Sequence, residues 1–396
     1  MPDTNITRNL GTSRAMGAPA RKTREIRVGK IAIGGASPIA VQSMCATKTT
    51  DIAATLEQIR LLEQSGADLI RIAVDSRNDV EALKSIRRET AANLVVDLQE
   101  SYRLAEQVAP LVQKFRYNPG HLHHHQKNVP VEDKVKFLVD TAGMHGCALR
   151  IGVNFGSLDP ALRDSEENPQ EIALRSAYSH VELMDRYGFQ NYLVSLKSSD
   201  PLSVVRINKA FSSERPEVPI HLGVTEAGLL PEAEIKTRIA FEQLLSVGIG
   251  DTVRVSLTLP DDEKDKEILI ARQIIEDVQA GRFRSVPEFL NKGLNVISCP
   301  SCSRVENRAF VKLAQDVKAA IAYAKDYSLT VAIMGCRVNG PGETDEADLG
   351  LWCAPTFVNL KRGATLVGKF SYEEVIARLL LEVDDIIAER AGKTAE

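Results

Sequence analysis

The chain has 396 residues, 44% of them hydrophobic and 26% charged, with a formal net charge of −4. That length exceeds one ordinary hydrophobic core, so two domains are expected, and the slight acidic balance offers no bulk attraction to nucleic acid or anionic membrane. There is no run of about 18 apolar residues to cross a bilayer, and six cysteines in so long a chain make no disulfide scaffold, so a reducing cytoplasmic setting is expected.

Residues 1–24 are polar, lack the apolar stretch of a secretory signal, and read as a disordered tail. From 25 to 282, short β-branched runs alternate with segments of helical periodicity. The amphipathic run Glu25–Gly34 predicts a hairpin ahead of the first long strand, where it would plug the bottom of a barrel. The predicted strands are then Ile39–Met44, Leu69–Val74, Leu94–Leu98, Lys114–Asn118, Leu149–Asn154, Tyr192–Lys197, Ile220–Glu226 and Thr252–Thr258. After the first strand, Asp51–Gln64 carries Ile52, Leu56 and Ile59 on one stripe, with Gly66 just past its end. Further on, Glu232–Val247 is closed by Gly248 and Gly250. Eight β/α repeats in about 250 residues spell a TIM barrel. The competing doubly wound sheet would carry a glycine fingerprint after its first strand, and none occurs.

Polar residues lie at the ends of most of these strands: Arg71 within the second, then Asp97, Asn118, Asn154, Lys197, Glu226 and Arg254. Those ends converge on the mouth of a barrel, where such folds place their chemistry. One polar strand end is an ordinary turn residue; seven around one rim define a candidate site.

Residues 283–292 include Pro287 and read as a linker, and 293–396 as a compact α+β domain. Strand Leu294–Ser298 runs into Cys299, and a helix from about Val305 to Lys325 places Phe310, Leu313, Val317 and Ile321 on one face. Strand Thr330–Met334 ends at Gly335 and Cys336, and strands Phe357–Arg362 and Thr365–Phe370 come next. A capping box, Ser371 with Glu374, opens a last helix that carries Ile376, Leu379, Leu380, Val383 and Ile387 inward until Gly392.

This second domain holds Cys299-Pro300-Ser301-Cys302, then Cys336, then Glu343. Two thiolates on one turn and a third from the next strand end can grip one metal centre, and the spacing leaves both zinc and an iron–sulfur centre open. Three features favour iron–sulfur. A second Cys-x-x-Cys and a nearby histidine are both missing, so the fourth ligand would be Glu343 or Cys353. A carboxylate is a harder, more labile ligand that can yield to a substrate oxygen. Gly335, Gly340 and Gly342 let backbone approach a bulky cluster.

Taken together, barrel and cysteine motifs resemble the (E)-4-hydroxy-3-methylbut-2-enyl diphosphate synthases of the non-mevalonate isoprenoid pathway, from about residue 26 onward. The strings that carry the likeness are Val41-Gln-Ser-Met44, Arg150-Ile-Gly-Val-Asn154 with Gly156-Ser-Leu158, Ser195-Leu-Lys-Ser-Ser-Asp200, His221-Leu-Gly-Val-Thr-Glu-Ala-Gly228, the run Gly248–Leu257 and Met334-Gly-Cys-Arg-Val-Asn-Gly-Pro-Gly-Glu343. The resemblance implies reductive opening and dehydration of 2-C-methyl-D-erythritol 2,4-cyclodiphosphate, through a [4Fe–4S] cluster held by Cys299, Cys302, Cys336 and Glu343. Flavodoxin or ferredoxin would deliver the electrons singly. Arg71, Arg116, Arg150, Lys197 and Arg254 suit a diphosphate, with Asp97, Asn118, Asn154, His221, Thr225 and Ser256 as further substrate-site residues. Glu226 is the candidate for acid/base work or for stabilising positive charge as the C–O bond breaks. The barrel leads directly into the cysteine domain, as in the short type of the family, which implies a head-to-tail homodimer whose cluster domain caps the partner's barrel.

Two strings depart from the family. Cys45-Ala-Thr-Lys-Thr-Thr-Asp51 stands where Thr-Asn-Thr is usual, and Asp97-Leu-Gln-Glu100 where Asp-Ile-His-Phe is usual, so Gln99 receives no proton-transfer role. Cys45 reads as a small buried thiol. The run His121-Leu-His-His-His125 comes directly after Arg116-Tyr-Asn-Pro-Gly120. Three consecutive histidines cannot all face one ion from a regular element, so a solvated or substrate-facing loop is expected there, with a zinc or nickel site as the alternative. Two rival functions remain to be weighed. A pterin-binding TIM-barrel methyltransferase would not need the cysteine domain, and a zinc-binding nucleic-acid contact protein would need clustered basic and aromatic residues that are lacking.

Overall fold

The computed structural model describes residues 22–158, 168–285, 293–325 and 327–393. Most of the linker and nearly all of the predicted tail therefore lie outside the described residues. Arg24, expected in the tail, is already part of the fold: its guanidinium sits 4.1 Å over the Tyr192 ring.

Strands β1 (Ile26–Val28) and β2 (Ile31–Ile33) pair antiparallel. Ile26, Val28 and Ile33 pack against Ala40, Leu69, Val95, Ala148 and Leu193, at or near the starts of the barrel strands. The predicted hairpin thus closes the bottom of the barrel. Around it run β3 (Ala40–Met44), β4 (Leu69–Ala73), β5 (Leu94–Gln99), β6 (Lys114–Tyr117), β7 (Ala148–Asn154), β8 (Tyr192–Lys197), β9 (His221–Leu222) and β10 (Thr252–Val253). They form one parallel sheet in the order β8-β7-β6-β5-β4-β3-β10-β9, which a bridge between Val194 and Ile220 closes into a ring. Every residue of β3 to β8 is buried, as expected of strands covered on both faces. Outer helices form where local signals agree. Asp51 caps the helix Ile52–Gln64 and Leu56, Ile59 and Leu62 face the core, and Ser76 with Asp79 makes a full capping box for Arg77–Glu89.

The seventh and eighth barrel strands are shorter than predicted. Beyond Leu222 and Val253 the backbone leaves the regular ladder, and its N–H groups turn to neighbouring loops: Thr225 N–H bonds Ser198 O at 3.0 Å and Thr258 N–H bonds Gly228 O at 2.9 Å. These departures carry Thr225, Glu226 and Arg254 onto the rim.

The second domain is a five-stranded sheet of β11 (Leu294–Ser298), β12 (Leu329–Met334), β13 (Leu349–Cys353), β14 (Val358–Arg362) and β15 (Thr365–Phe370) in that order. The first three are parallel and the last two antiparallel. Strand β13 was not anticipated, being only five residues with a glycine inside. Helices Ala309–Ala320 and Val375–Lys393 cover the sheet through Phe310, Leu313, Val317, Leu379 and Val383. The first is shorter than predicted and is followed by a one-turn helix, Ala322–Ala324. No helix of the described residues is long and apolar enough to cross a membrane.

The two domains meet at the barrel mouth. Ala227 and Ser298 form a parallel bridge, and Ser298 N–H donates to Glu226 O at 3.2 Å. The cysteine domain thereby becomes a cap on the barrel of its own chain.

Candidate active site

A cavity at this junction is lined from the barrel by Arg71, Arg116, Arg150, Lys197 and Arg254, and from the cap by Arg304. Sheet register brings the cations together: Arg116 stands between Asp97 and Arg150 on adjacent strands, and Asn154 pairs with Lys197. Asp97 binds Arg116 at 3.1 Å, Arg304 at 3.2 Å and Arg71 at 3.9 Å. Burial opposes ionisation of Asp97, but Arg116, Arg304, Arg71 and Arg150 outweigh it and hold the carboxyl well below the usual carboxylate range. Its role is to carry the cations.

Six basic side chains face two carboxylates, Asp97 and Glu226, across the cavity wall. Burial, followed by like charge from Arg150 and Arg254, pushes Lys197 well below the ordinary lysine range. Burial likewise lowers Arg71, to about 9. Hydrogen-bonding capacity is also spare. Arg150 Nε and Nη1 and Arg254 Nε and Nη2 are buried without a hydrogen-bond partner. Buried donors left so cost free energy until an acceptor reaches them, and a diphosphate supplies acceptors and charge together.

Glu226 sits with φ of 49°, a conformation uncommon outside glycine. Asn339 Nδ2 of the cap donates to its Oε1 at 2.8 Å. Its neighbour is Glu343, from the short helix Gly340–Glu346. Burial, then the charge of Glu226 and of Glu346, raises Glu343 well above the ordinary glutamate range. The two carboxylates thus stand close together at the seam between barrel and cap. Glu343 also fills the space above Gly156, where a Cβ would come within 2.8 Å of its Oε1.

Cys299 follows β11, Cys302 ends the next turn, and Cys336 follows β12. The barrel holds that turn in place: Thr258 Oγ1 donates to Cys299 O at 2.9 Å, Lys264 Nζ to Pro300 O at 2.8 Å, and Arg308 links Ser301 to Asp261. Cys299 and Cys336 share a hydrogen bond that pushes Cys299 well up and brings Cys336 down to about 7, with the backbone N–H groups of Val338 and Asn339 helping. The three thiols face the cationic cavity. Three thiols on one cavity wall, with backbone N–H groups bonded to sulfur, fit a thiolate-bound metal centre.

The predicted residues divide into two sets. Arg71, Asp97, Arg116, Arg150, Asn154, Lys197, Thr225, Glu226, Arg254 and the three thiols line one cavity. Asn118, His221, Ser256 and Glu343 do not reach its wall, Glu343 standing instead beside Glu226 and over Gly156. Asn118 caps a turn through Gly120 N–H and donates to Ser157 Oγ at 2.8 Å. His221 lies fully buried, its Nδ1 3.4 Å from Thr252 Oγ1. Cys353 ends β13 buried in the core of the second domain, away from the cavity wall, and burial pushes its thiol up to about 12. Cys45 is likewise buried and raised to about 12, as its reading required. Sequence reasoning missed Arg304, which grips Asp75 Oδ2 at 2.8 Å as well as Asp97. The only signal was its place two residues after Cys302. His121, expected in a solvated or substrate-facing loop, is buried, and burial with His124 and Arg116 pushes it down to about 3. The expectation that a partner subunit supplies the cap differs from what one chain displays, since here both domains of a single chain close the cavity.

A TIM barrel whose cationic mouth is closed by a three-cysteine domain defines a class of enzyme in which basic side chains and thiols face one another across one cavity. Within that class the chain belongs to the GcpE family. The GcpE TIM-barrel domain matches residues 23–272 and the GcpE protein C-terminal domain residues 295–385. A relative from Rhodopirellula baltica, named 4-hydroxy-3-methylbut-2-en-1-yl diphosphate synthase (flavodoxin), is 58% identical over 92% of this chain and 96% of that protein. A relative of the same name from Aquifex aeolicus is 39% identical over 94% of this chain and 99% of its own length. A match spanning both domains sets aside the pterin-binding and nucleic-acid alternatives.

Proposed function

We infer that this protein is an iron–sulfur oxidoreductase that opens 2-C-methyl-D-erythritol 2,4-cyclodiphosphate reductively and dehydrates it to (E)-4-hydroxy-3-methylbut-2-enyl diphosphate. The observation that carries the reading is the meeting of unpartnered buried guanidinium groups and three converging thiols across one cavity. Cys299, Cys302 and Cys336 would hold a [4Fe–4S] cluster, with Glu343 as the exchangeable fourth ligand. When bound, the cluster supplies the two electrons one at a time and an iron able to accept a substrate oxygen.

The chain's own residues do the rest. Arg150, Arg254 and Lys197 take the diphosphate oxygens, and Arg116 is held ready by Asp97 and by the carbonyl of Gly152 at 2.7 Å. Cavity closure by Arg304 and Asn339 excludes water and strengthens these charges. Glu226, held at Oε1 by Asn339 and lining the cavity, is placed to act as the acid/base group for the hydroxyl that departs as water. Electrons would come from flavodoxin, as the relatives' names indicate, or from ferredoxin, in the cytoplasm. The working assembly would be a homodimer in which the same cap and barrel faces meet between chains.

Anaerobic purification followed by iron, sulfide and zinc analysis tests the cofactor. About four irons and four sulfides per chain are expected, lost in Cys336→Ser. Stoichiometric zinc without iron would overturn the reading.

A further inference from the structure

A second constellation stands on the rim outside this cavity. His121 closes the one-turn helix Pro119–His121, and His124 N–H bonds back to His121 O at 3.1 Å. Side chains three apart on such a turn eclipse each other. The His121 and His124 rings accordingly stack, with centroids 4.6 Å apart and planes 29° apart. Glu100 arrives from the end of β5, where Gln99 adopts φ of 50° and turns the chain toward the histidines. Ligand atoms of Glu100, His121 and His124 lie within 4.8 Å of one another, the one such trio of His, Cys, Asp and Glu among the described residues.

We propose that Glu100, His121 and His124 form a divalent-metal site of the two-histidine, one-carboxylate kind, separate from the cysteine centre. Imidazole paired with carboxylate suits zinc, nickel, cobalt or ferrous iron, and three protein ligands leave positions open. The surroundings fit. Gln99 Nε2 donates to His121 Nδ1 at 3.1 Å, and the Gln99 carbonyl is held by Arg116, so the His121 ring is fixed in orientation from the end of β5. A cavity of about 370 Å³, walled by Gly120, Ser157, Arg337 and Gly342, gives room for water or an exogenous ligand to complete the coordination. His125 Nε2, 3.9 Å from Glu100 Oε1, is a further donor within reach. Because Arg337, Val338, Pro341 and Gly342 come from the cap, the ion would sit at the seam between the domains. Gln99 also connects it to Arg116 of the substrate cavity.

The test is calorimetric titration of the tag-free, full-length protein with zinc chloride, with iron content and thermal midpoint measured alongside. The expected result is about one zinc per chain, bound at least about tenfold more weakly by His124→Ala and by Glu100→Gln, with iron content and thermal midpoint unchanged. Both altered residues are at the surface side of the site, so the fold should persist. His145→Ala, which removes an exposed histidine at the end of the helix Val131–His145, should bind zinc like the unaltered protein. No zinc uptake, or an affinity unaffected by His124→Ala and Glu100→Gln, would overturn the proposal; so would an equal loss in His145→Ala, which would mark adventitious surface binding. Zinc held only by the cysteines would show as binding indifferent to all three substitutions.

Discussion

At the scale of single residues, the site is governed by the repulsion among its own cations. Lys197 is held well below its ordinary range by burial and neighbouring guanidinium groups, and a bound diphosphate would raise it again. Binding should therefore take up protons, and affinity should fall as pH rises through the interval between the lowered value of free Lys197 and its higher value in the complex. Calorimetry in buffers of differing ionisation enthalpy checks this; proton release on binding would contradict it. The cations of the barrel were legible in the sequence because each ends or lies within a short run of β-branched or aromatic residues. Arg304 was not, because its partners Asp75 and Asp97 lie more than two hundred positions away and only the docked cap brings them together. His221 and Asn118 misled for the converse reason: polar residues near strand ends can turn into the barrel or into a loop as readily as toward the mouth.

At the scale of elements, the parallel register of β5, β6 and β7 places Asp97, Arg116 and Arg150 side by side. Small residues on the next rows give the long side chains room. A Cβ on Gly152 would come within 2.0 Å of Arg116 Nε. Gly152→Ala should thus displace Arg116 from Asp97, raising the KM for the cyclodiphosphate about tenfold or more, since charge-assisted contacts of this kind contribute about 1.5–3 kcal/mol. Circular dichroism should stay that of a folded barrel, and an unchanged KM would show that Arg116 does not bind substrate. Element existence was legible from alternating hydrophobic and helical periodicity. The ends of β9 and β10 were not, because their β-branched residues continue past the point where the backbone leaves the ladder. Strand β13 was hidden by its brevity, yet it lies between β12 and β14, a central position that explains why Cys353 packs into the core rather than binding metal.

At the scale of the whole molecule, cap and barrel each hold half of the chemistry. The sheet bridge at Ala227 and Ser298 and the ion pairs of Arg304 join them. In a homodimer with exchanged caps, a barrel variant such as Glu226→Gln and a cap variant such as Cys336→Ser would complement each other. Random pairing in an equal mixture makes half of the dimers mixed, each with one intact site, so activity should return to about a quarter of the unaltered protein's. A mixture as inactive as its components would place each cap on its own chain's barrel. The two-domain plan was legible from length and from the change of pattern after Arg282, whereas which barrel a cap covers is a property of assembly that no local residue pattern encodes.

The central claim is that electrons enter through the cysteine centre and leave in the opened diphosphate. The most direct measurement is anaerobic turnover of 2-C-methyl-D-erythritol 2,4-cyclodiphosphate with reduced flavodoxin, following product and oxidised donor together. The account predicts one (E)-4-hydroxy-3-methylbut-2-enyl diphosphate for every two electrons consumed, and none from Cys336→Ser. A protein holding its full iron and sulfide that consumes electrons without opening the ring, or opens it without consuming them, would contradict it.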